Sequence, residues 1–278
     1  MSPYPKIKLN MKLSISLLIV LLSSFNISLA QDPEVVIYKK AGDRELAVHI
    51  FKPEKQDSPS PAVVWYHGGG WNPKGRAGQF FEHGKILAGL GVVSISVDYR
   101  GYEGTAENRD ISNCIADAKS AFRWVKTHAK ELNIDTDRIA VGGGSAGGHL
   151  AAAVATLPGY DDSKDDLSIK INPCLQLLFN PAVDPSKVTG DGFSPLHTVK
   201  KGISPAVIFH GKADTTVPIT QAYDYQRAMD KVGSKCTLFA YEDQSHGFFN
   251  YRAGRIPHYY KTVGDMLVYL EKHGYFTK

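Results

Sequence analysis

Apolar residues along this chain fall into short consecutive runs, separated by longer stretches in which they recur every three or four positions. The runs at residues 35–38, 46–51, 62–66, 92–99, 139–142, 175–179, 206–210 and 237–241 are rich in Val and Ile. They are bounded by Gly, Pro or Asp, which marks them as strands. Several carry apolar residues on consecutive positions, as strands covered on both faces do. Between them the spacing predicts helices over 79–89, 111–132, 146–157, 219–231 and 258–273. This alternation predicts an α/β fold, one mostly parallel sheet wrapped by helices. The first two runs read as a strand pair turning through Ala41-Gly42-Asp43. Residues 159–172, an acidic segment, read as a solvated loop or short helix, and 180–204 is the longest irregular stretch, of the kind that often edges a site.

The first thirty residues follow a different pattern. Lys6, Lys8 and Lys12 precede a largely apolar stretch over 13–25, and Ser28-Leu29-Ala30 then places small residues ahead of Gln31. That is the order of an export signal, predicting a cleaved segment 1–30 followed by a single catalytic domain over 31–278. The stretch is shorter than the ~20 apolar residues that span a bilayer, so no stable membrane insertion is expected after cleavage. The expected location is secreted or periplasmic. In an oxidising compartment Cys114, Cys174 and Cys236 could form at most one disulfide, or all three could be buried apolar residues.

Composition narrows the chemistry. The 278 residues are 43% hydrophobic and 22% charged, with a net charge of +4. Three of the positive charges lie in the first thirty residues, so the remainder offers no basic surface for nucleic acid. No CxxC or clustered His/Cys spacing supports a metal site, and no cofactor is expected.

Three segments carry candidate chemistry. Gly143-Gly144-Ser145-Ala146-Gly147 is a G-x-S-x-G sequence between a predicted strand and a predicted helix, the context that exposes a strained nucleophilic serine. The N–H of Ala146 then opens the helix and faces the place where an oxyanion would form. His67-Gly68-Gly69-Gly70-Trp71 follows the run 62–66, and its glycines let several N–H groups approach one point. A serine needs a base and the base needs a carboxylate. His246 and Asp214 both follow predicted strands, in the chain order serine, acid, histidine. Asp184 and Asp243 are the alternative acids. His149 and His210 read as packing residues, His67 as a brace for its own loop, and Asp98 with Arg100 as a structural ion pair.

Taken together, His67-Gly68-Gly69-Gly70-Trp71, Asp98-Tyr99-Arg100, Gly143-Gly144-Ser145-Ala146-Gly147-Gly148, Asp214 and Ser245-His246-Gly247-Phe248 resemble the α/β-hydrolase superfamily. More narrowly the chain is similar to the HGGG esterases, a group with hormone-sensitive-lipase-like and small secreted acetyl or feruloyl members. The resemblance implies an eight-stranded sheet, Ser145 as nucleophile, His246 as base and Asp214 as its partner. It also implies an oxyanion hole from Gly69, Gly70 and Ala146. The helical cap of hormone-sensitive-lipase-like members has no counterpart before the HGGG strand, which implies an open site and a bulky alcohol such as an acylated sugar. Trp71 and Phe248, with Tyr102, Phe193 and Phe249, are candidate pocket walls. The expected activity is hydrolysis of short-chain, foremost acetyl, esters on carbohydrate. A peptidase of the same fold and a catalytically silent binding module are the alternatives.

Overall fold

The computed structural model describes residues 32–72 and 77–276. The predicted export signal, residues 1–30, lies outside them. Among the described residues ten strands form: β1 (Glu34–Ala41), β2 (Arg44–Phe51), β3 (Ser60–Tyr66), β4 (Val93–Val97), β5 (Glu103–Gly104), β6 (Arg109–Asp110), β7 (Ile134–Gly144), β8 (Leu175–Phe179), β9 (Ala206–Gly211) and β10 (Cys236–Tyr241). The helices are α1 (Phe81–Gly89), α2 (Ser112–Thr127), α3 (Ala146–Thr156), α4 (Ser186–Thr189), α5 (Thr220–Lys231) and α6 (Ile256–Lys272).

Eight strands make one sheet in the order β1-β2-β4-β3-β7-β8-β9-β10. β2 runs antiparallel to both β1 and β4, and every other pair in the sheet is parallel. Every residue of β3, β4, β8 and β9 is buried, which accounts for their largely apolar sequences; the polar exceptions include Ser94 and Ser96 of β4 and Gln176 of β8. Alternation still assigns the side chains to faces. Val64 and Tyr66 join Phe122 of α2 and Leu150 of α3 in one core layer. Val63 and Trp65 join Leu87 of α1 and Met266 and Leu270 of α6 in the other.

After β3 the chain crosses to β4 on one side, whereas β7 to β10 extend the sheet on the other. The order therefore reverses between β3 and β7, and the loops leaving those two strands flank a crevice at the carboxyl edge. Open parallel sheets bind ligands at such switch points.

Two of the boundaries that differ from the sequence reading have a clear local cause. α2 ends at Thr127 because the chain closes on itself: Ile134 N–H donates to the Ala129 carbonyl at 2.7 Å, and Asn133 turns with φ 50°. α6 starts ahead of Pro257, since a proline in the first turn loses no intrahelical hydrogen bond. All three cysteines are free thiols. Among the described residues no helix is long and apolar enough to cross a membrane.

Candidate active site

β7 passes into α3 through Ser145, held at φ 56° and ψ −118°. A residue with a side chain occupies this region only when its surroundings force it there. Here they do. The Ser145 N–H donates to the Phe179 carbonyl at 2.8 Å, and its own carbonyl accepts from His149 N at 3.0 Å and Ala182 N at 3.2 Å. Two residues on, Gly147 lies so close to the end of β3 that a Cβ there would strike the carbonyls of Tyr66 and His67. The turn is thus built by packing bare backbone against backbone, and it lifts the Ser145 hydroxyl to a half-buried position at the crevice.

Ser145, Asp214 and His246 come from three different strand ends and meet there. His246 Nε2 lies 2.9 Å from Ser145 Oγ, and His246 Nδ1 lies 2.7 Å from Asp214 Oδ2. The carboxylate only accepts, so Nδ1 carries the proton and Nε2 is left as an acceptor for the serine hydroxyl. Asp214 is held on every side. Thr216 N and Val217 N donate to Oδ1, each at 2.9 Å, and Asn180 Nδ2 donates to Oδ2 at 2.5 Å. Burial works to raise its carboxyl, but the bonds from His246, Asn180 and the Val217 amide outweigh it and hold the group below the usual carboxylate range. It therefore stays ionised beside the imidazole.

The glycine loop leaves β3 directly into the crevice. Asn72 N donates to the Gly69 carbonyl at 3.2 Å, closing a turn whose central residues Gly70 and Trp71 both have positive φ, 66° and 58°. Because a peptide plane points its C=O and N–H in opposite directions, this bond fixes the Gly70 N–H as well. In the same way the Gly68 carbonyl, 2.8 Å from His67 Nδ1, fixes the Gly69 N–H. Ala146 is the first residue of α3, so its N–H is among the orphan donors of that helix end. The glycine loop runs beside the nucleophile turn, since a Cβ on Gly68 would come within 3.3 Å of Ser145 Cβ; amide donors in such a place can stabilise charge that develops on a carbonyl oxygen.

Other predicted residues take different places. Trp71 and Phe248 are only 4% and 2% exposed. Trp71 turns inward, its Nε1 donating to His149 Nδ1 at 3.3 Å, and Phe248 packs against Tyr241 and Phe249 beneath the His246 loop. Neither offers a free ring face to a bulky alcohol, which corrects their expected place on the pocket wall. Phe249 is core as well. The expected Asp98–Arg100 pair does not form: Arg100 binds Asp117 through Nε and Nη2, each at 2.8 Å, and Asp98 faces His49 at 3.6 Å. Asp184 accepts from Ser186 N, and Asp243 is exposed in a turn, so neither alternative acid touches His246. His210 is buried as expected, but it does more than pack. Its Nε2 lies 2.9 Å from the Val217 carbonyl and 3.5 Å from Asp214, and burial lowers its pKa.

Burial lowers the His149 pKa to about 4, so this ring is neutral and donates from Nε2 to the Phe193 carbonyl at 2.7 Å. Asn180 and Gln79 were not legible as site residues. The only signal was position: Asn180 directly follows a strand, and Gln79 opens a helix beside the glycine loop. Among the described residues no cluster of His, Cys, Asp and Glu could hold a metal ion.

The sheet order, the strained serine turn and the serine–histidine–aspartate contact define an α/β-hydrolase. Residues 48–176 match the family described as BD-FAE, and residues 188–268 match the Dienelactone hydrolase family. Among solved structures, Thermogutta terrifontis esterase 2, phosphorylated by paraoxon, is similar with a TM-score of 0.83 and 36% identity, over 90% of this chain and 97% of that one. The same esterase with butyrate bound aligns with a TM-score of 0.81. An acetylxylan esterase from Xylanibacter ruminicola is 26% identical over 79% of this chain and 47% of its own length. The chain spans about half the length of the curated relatives it matches first. The chain belongs to the α/β-hydrolase esterases.

Proposed function

We propose that this protein is an exported serine carboxylesterase, with a signal segment at 1–30 and one catalytic domain over 31–278. Its substrates are short-chain acyl esters, foremost acetyl, carried on carbohydrate. The observation that carries the reading is the 2.9 Å contact between Ser145 Oγ and His246 Nε2, with Asp214 behind the imidazole.

In the proposed cycle His246 Nε2 takes the Ser145 proton as Oγ bonds to the ester carbonyl carbon. The carbonyl oxygen becomes an oxyanion and accepts hydrogen bonds from the Gly69, Gly70 and Ala146 amides. As the intermediate collapses, the carbon–alkoxy bond breaks and the imidazolium gives its proton to the departing alcohol. Water then attacks the acyl-serine with His246 again as base, and the acid leaves as Ser145 regains its proton.

Two features support the substrate class. Residues 34–51 add two strands to the sheet rather than a helical cap over the crevice. Butyrate in the similar Thermogutta esterase and the acetylxylan activity named for the Xylanibacter relative support a short acyl group. The test is a kcat/KM series on p-nitrophenyl esters from acetate to decanoate, run beside acetylated xylo-oligosaccharides. Highest values at acetate to butyrate, with acetate released from the oligosaccharides, are expected. Fastest cleavage of decanoate would overturn the short-acyl assignment. A fluorophosphonate should label the wild type and not Ser145→Ala.

A further inference from the structure

Behind the catalytic crevice two carboxamides join the glycine loop to the histidine loop. The Gly68 N–H donates to Gln79 Oε1 at 2.6 Å, and Gln79 Nε2 donates to Asn250 Oδ1 at 2.8 Å. Asn250 Nδ2 in turn donates to the Gly247 carbonyl at 2.9 Å. The chain of bonds has one direction from end to end. A backbone N–H at one end requires an acceptor from Gln79, and a backbone carbonyl at the other requires a donor from Asn250. Rotating either amide by 180° would therefore set donor against donor or acceptor against acceptor, so the two side chains hold each other in one orientation.

We propose that Gln79 and Asn250 are positioning residues, a relay that keeps the oxyanion amides and the catalytic base in register across Ser145. This rests on the serine esterase reading. Both ends of the relay lie one residue from the groups it would position. The Gly68 peptide precedes the Gly69 amide, and with N–H and C=O of Gly68 both bonded, to Gln79 and His67, the glycine loses the freedom that would blur the hole. Gly247 follows His246, and Arg255 Nη1 also donates to the carbonyls of His246 and Gly247, at 3.2 and 2.6 Å. The relay runs directly under the nucleophile. A Cβ on Gly144 would come within 3.4 Å of Gln79 Nε2, and one on Gly68 within 3.4 Å of Gln79 Oε1 and 3.3 Å of Ser145 Cβ. Oxyanion donors act only within a few tenths of an ångström of the right place, and three adjacent glycines cannot hold that place unaided.

The experiment compares Gln79→Met, Gln79→Glu, Asn250→Ala and the Gln79→Met/Asn250→Ala double variant. It reads kcat and KM on p-nitrophenyl acetate, inhibition by a trifluoromethyl ketone and the melting temperature. Gln79→Met should lower kcat roughly tenfold to a hundredfold with KM nearly unchanged. Ketone affinity should fall in parallel, because the ketone adduct uses the same amides. The double variant should be no worse than the more impaired single one, as expected of one coupled device. Gln79→Glu keeps the acceptor for Gly68 N–H and should retain more activity than Gln79→Met.

Wild-type kcat and ketone affinity in Gln79→Met would overturn the relay, as would losses that simply track the melting temperature. If Gln79→Met does not fold, Gln79→Glu and Asn250→Ala decide by the same two readouts. Ser145→Ala, assayed alongside, separates the two ideas: retained activity there refutes the nucleophile, whereas its loss with unimpaired relay variants refutes only the relay.

Discussion

Asn180 and His246 meet on a single oxygen, both donating to Asp214 Oδ2, at 2.5 and 2.7 Å. Asn180 directly follows β8, with φ 43° and its N–H bonded to the Phe209 carbonyl, so the backbone delivers its amide to the carboxylate. Hydrogen bonds to a charged group contribute about 1.5–3 kcal/mol each. Asn180→Ala is expected to raise the Asp214 pKa and lower kcat/KM about tenfold to a hundredfold. Steady-state kinetics check this, and an unimpaired Asn180→Ala enzyme would remove Asn180 from the site.

The contacts among Ser145, His246 and Asp214 predict strong non-additivity. Ser145→Ala and His246→Ala should each reduce kcat by several orders of magnitude, and the double variant should be no slower than either. Asp214→Asn should cost about 10⁴ in kcat, since the amide cannot hold the Nδ1–H tautomer. Multiplicative losses in single-turnover measurements would show that the three do not act as one unit.

Two glycine substitutions, one beside the serine turn and one in α6, are expected to have opposite effects. Gly147→Ala drives a methyl into the Tyr66 carbonyl, so soluble folded protein should be lost or strongly destabilised. Gly264 lies inside α6 with nothing near the site of an added Cβ. Gly264→Ala should stabilise by about 0.5–1 kcal/mol through helix propensity. Urea unfolding of both variants is the measurement, and destabilisation by Gly264→Ala would contradict the open environment at that position.

His83 predicts a pH effect. It is fully buried among Trp65, Phe80, Phe179 and Tyr259, neither ring nitrogen has a hydrogen-bond partner among the described residues, and burial lowers its pKa to about 3. The unfolded chain takes up a proton near the ordinary histidine value of 6.5 while the folded ring does not. Stability is therefore whole above 6.5 and falls as the pH drops from there toward about 3, by up to about 1.4 kcal/mol per unit from this group. His83→Phe should leave stability at pH 7 equal or higher, because no buried nitrogen goes unpaired, and should flatten that decline. Urea midpoints at pH 7, 5 and 4 check it, and an unchanged slope would contradict the buried neutral ring.

What the sequence determined by itself was periodic or covalently local. Short runs rich in apolar residues identified the buried strands, since a strand covered on both faces carries few polar residues, and those few, such as Ser94, Ser96 and Gln176, are buried with it. The strand–glycine–serine–helix order identified the turn at Ser145, since only bare backbone fits there. Histidine and aspartate after later strands identified His246 and Asp214, because parallel strands bring their ends to one edge. Tertiary structure decided everything that depends on a partner distant in the chain. Trp71 and Phe248 read as candidate pocket walls because an aromatic residue beside a reactive motif carries no mark of which way its ring turns; in the fold they pack against His149 and Tyr241. Arg100 took Asp117 from α2 rather than its neighbour Asp98, a choice set by how the helix lies on the sheet. Asn180, Gln79 and Asn250 are ordinary amides in sequence, and only the fold sets their donors and acceptors against Asp214 and the two loops around Ser145.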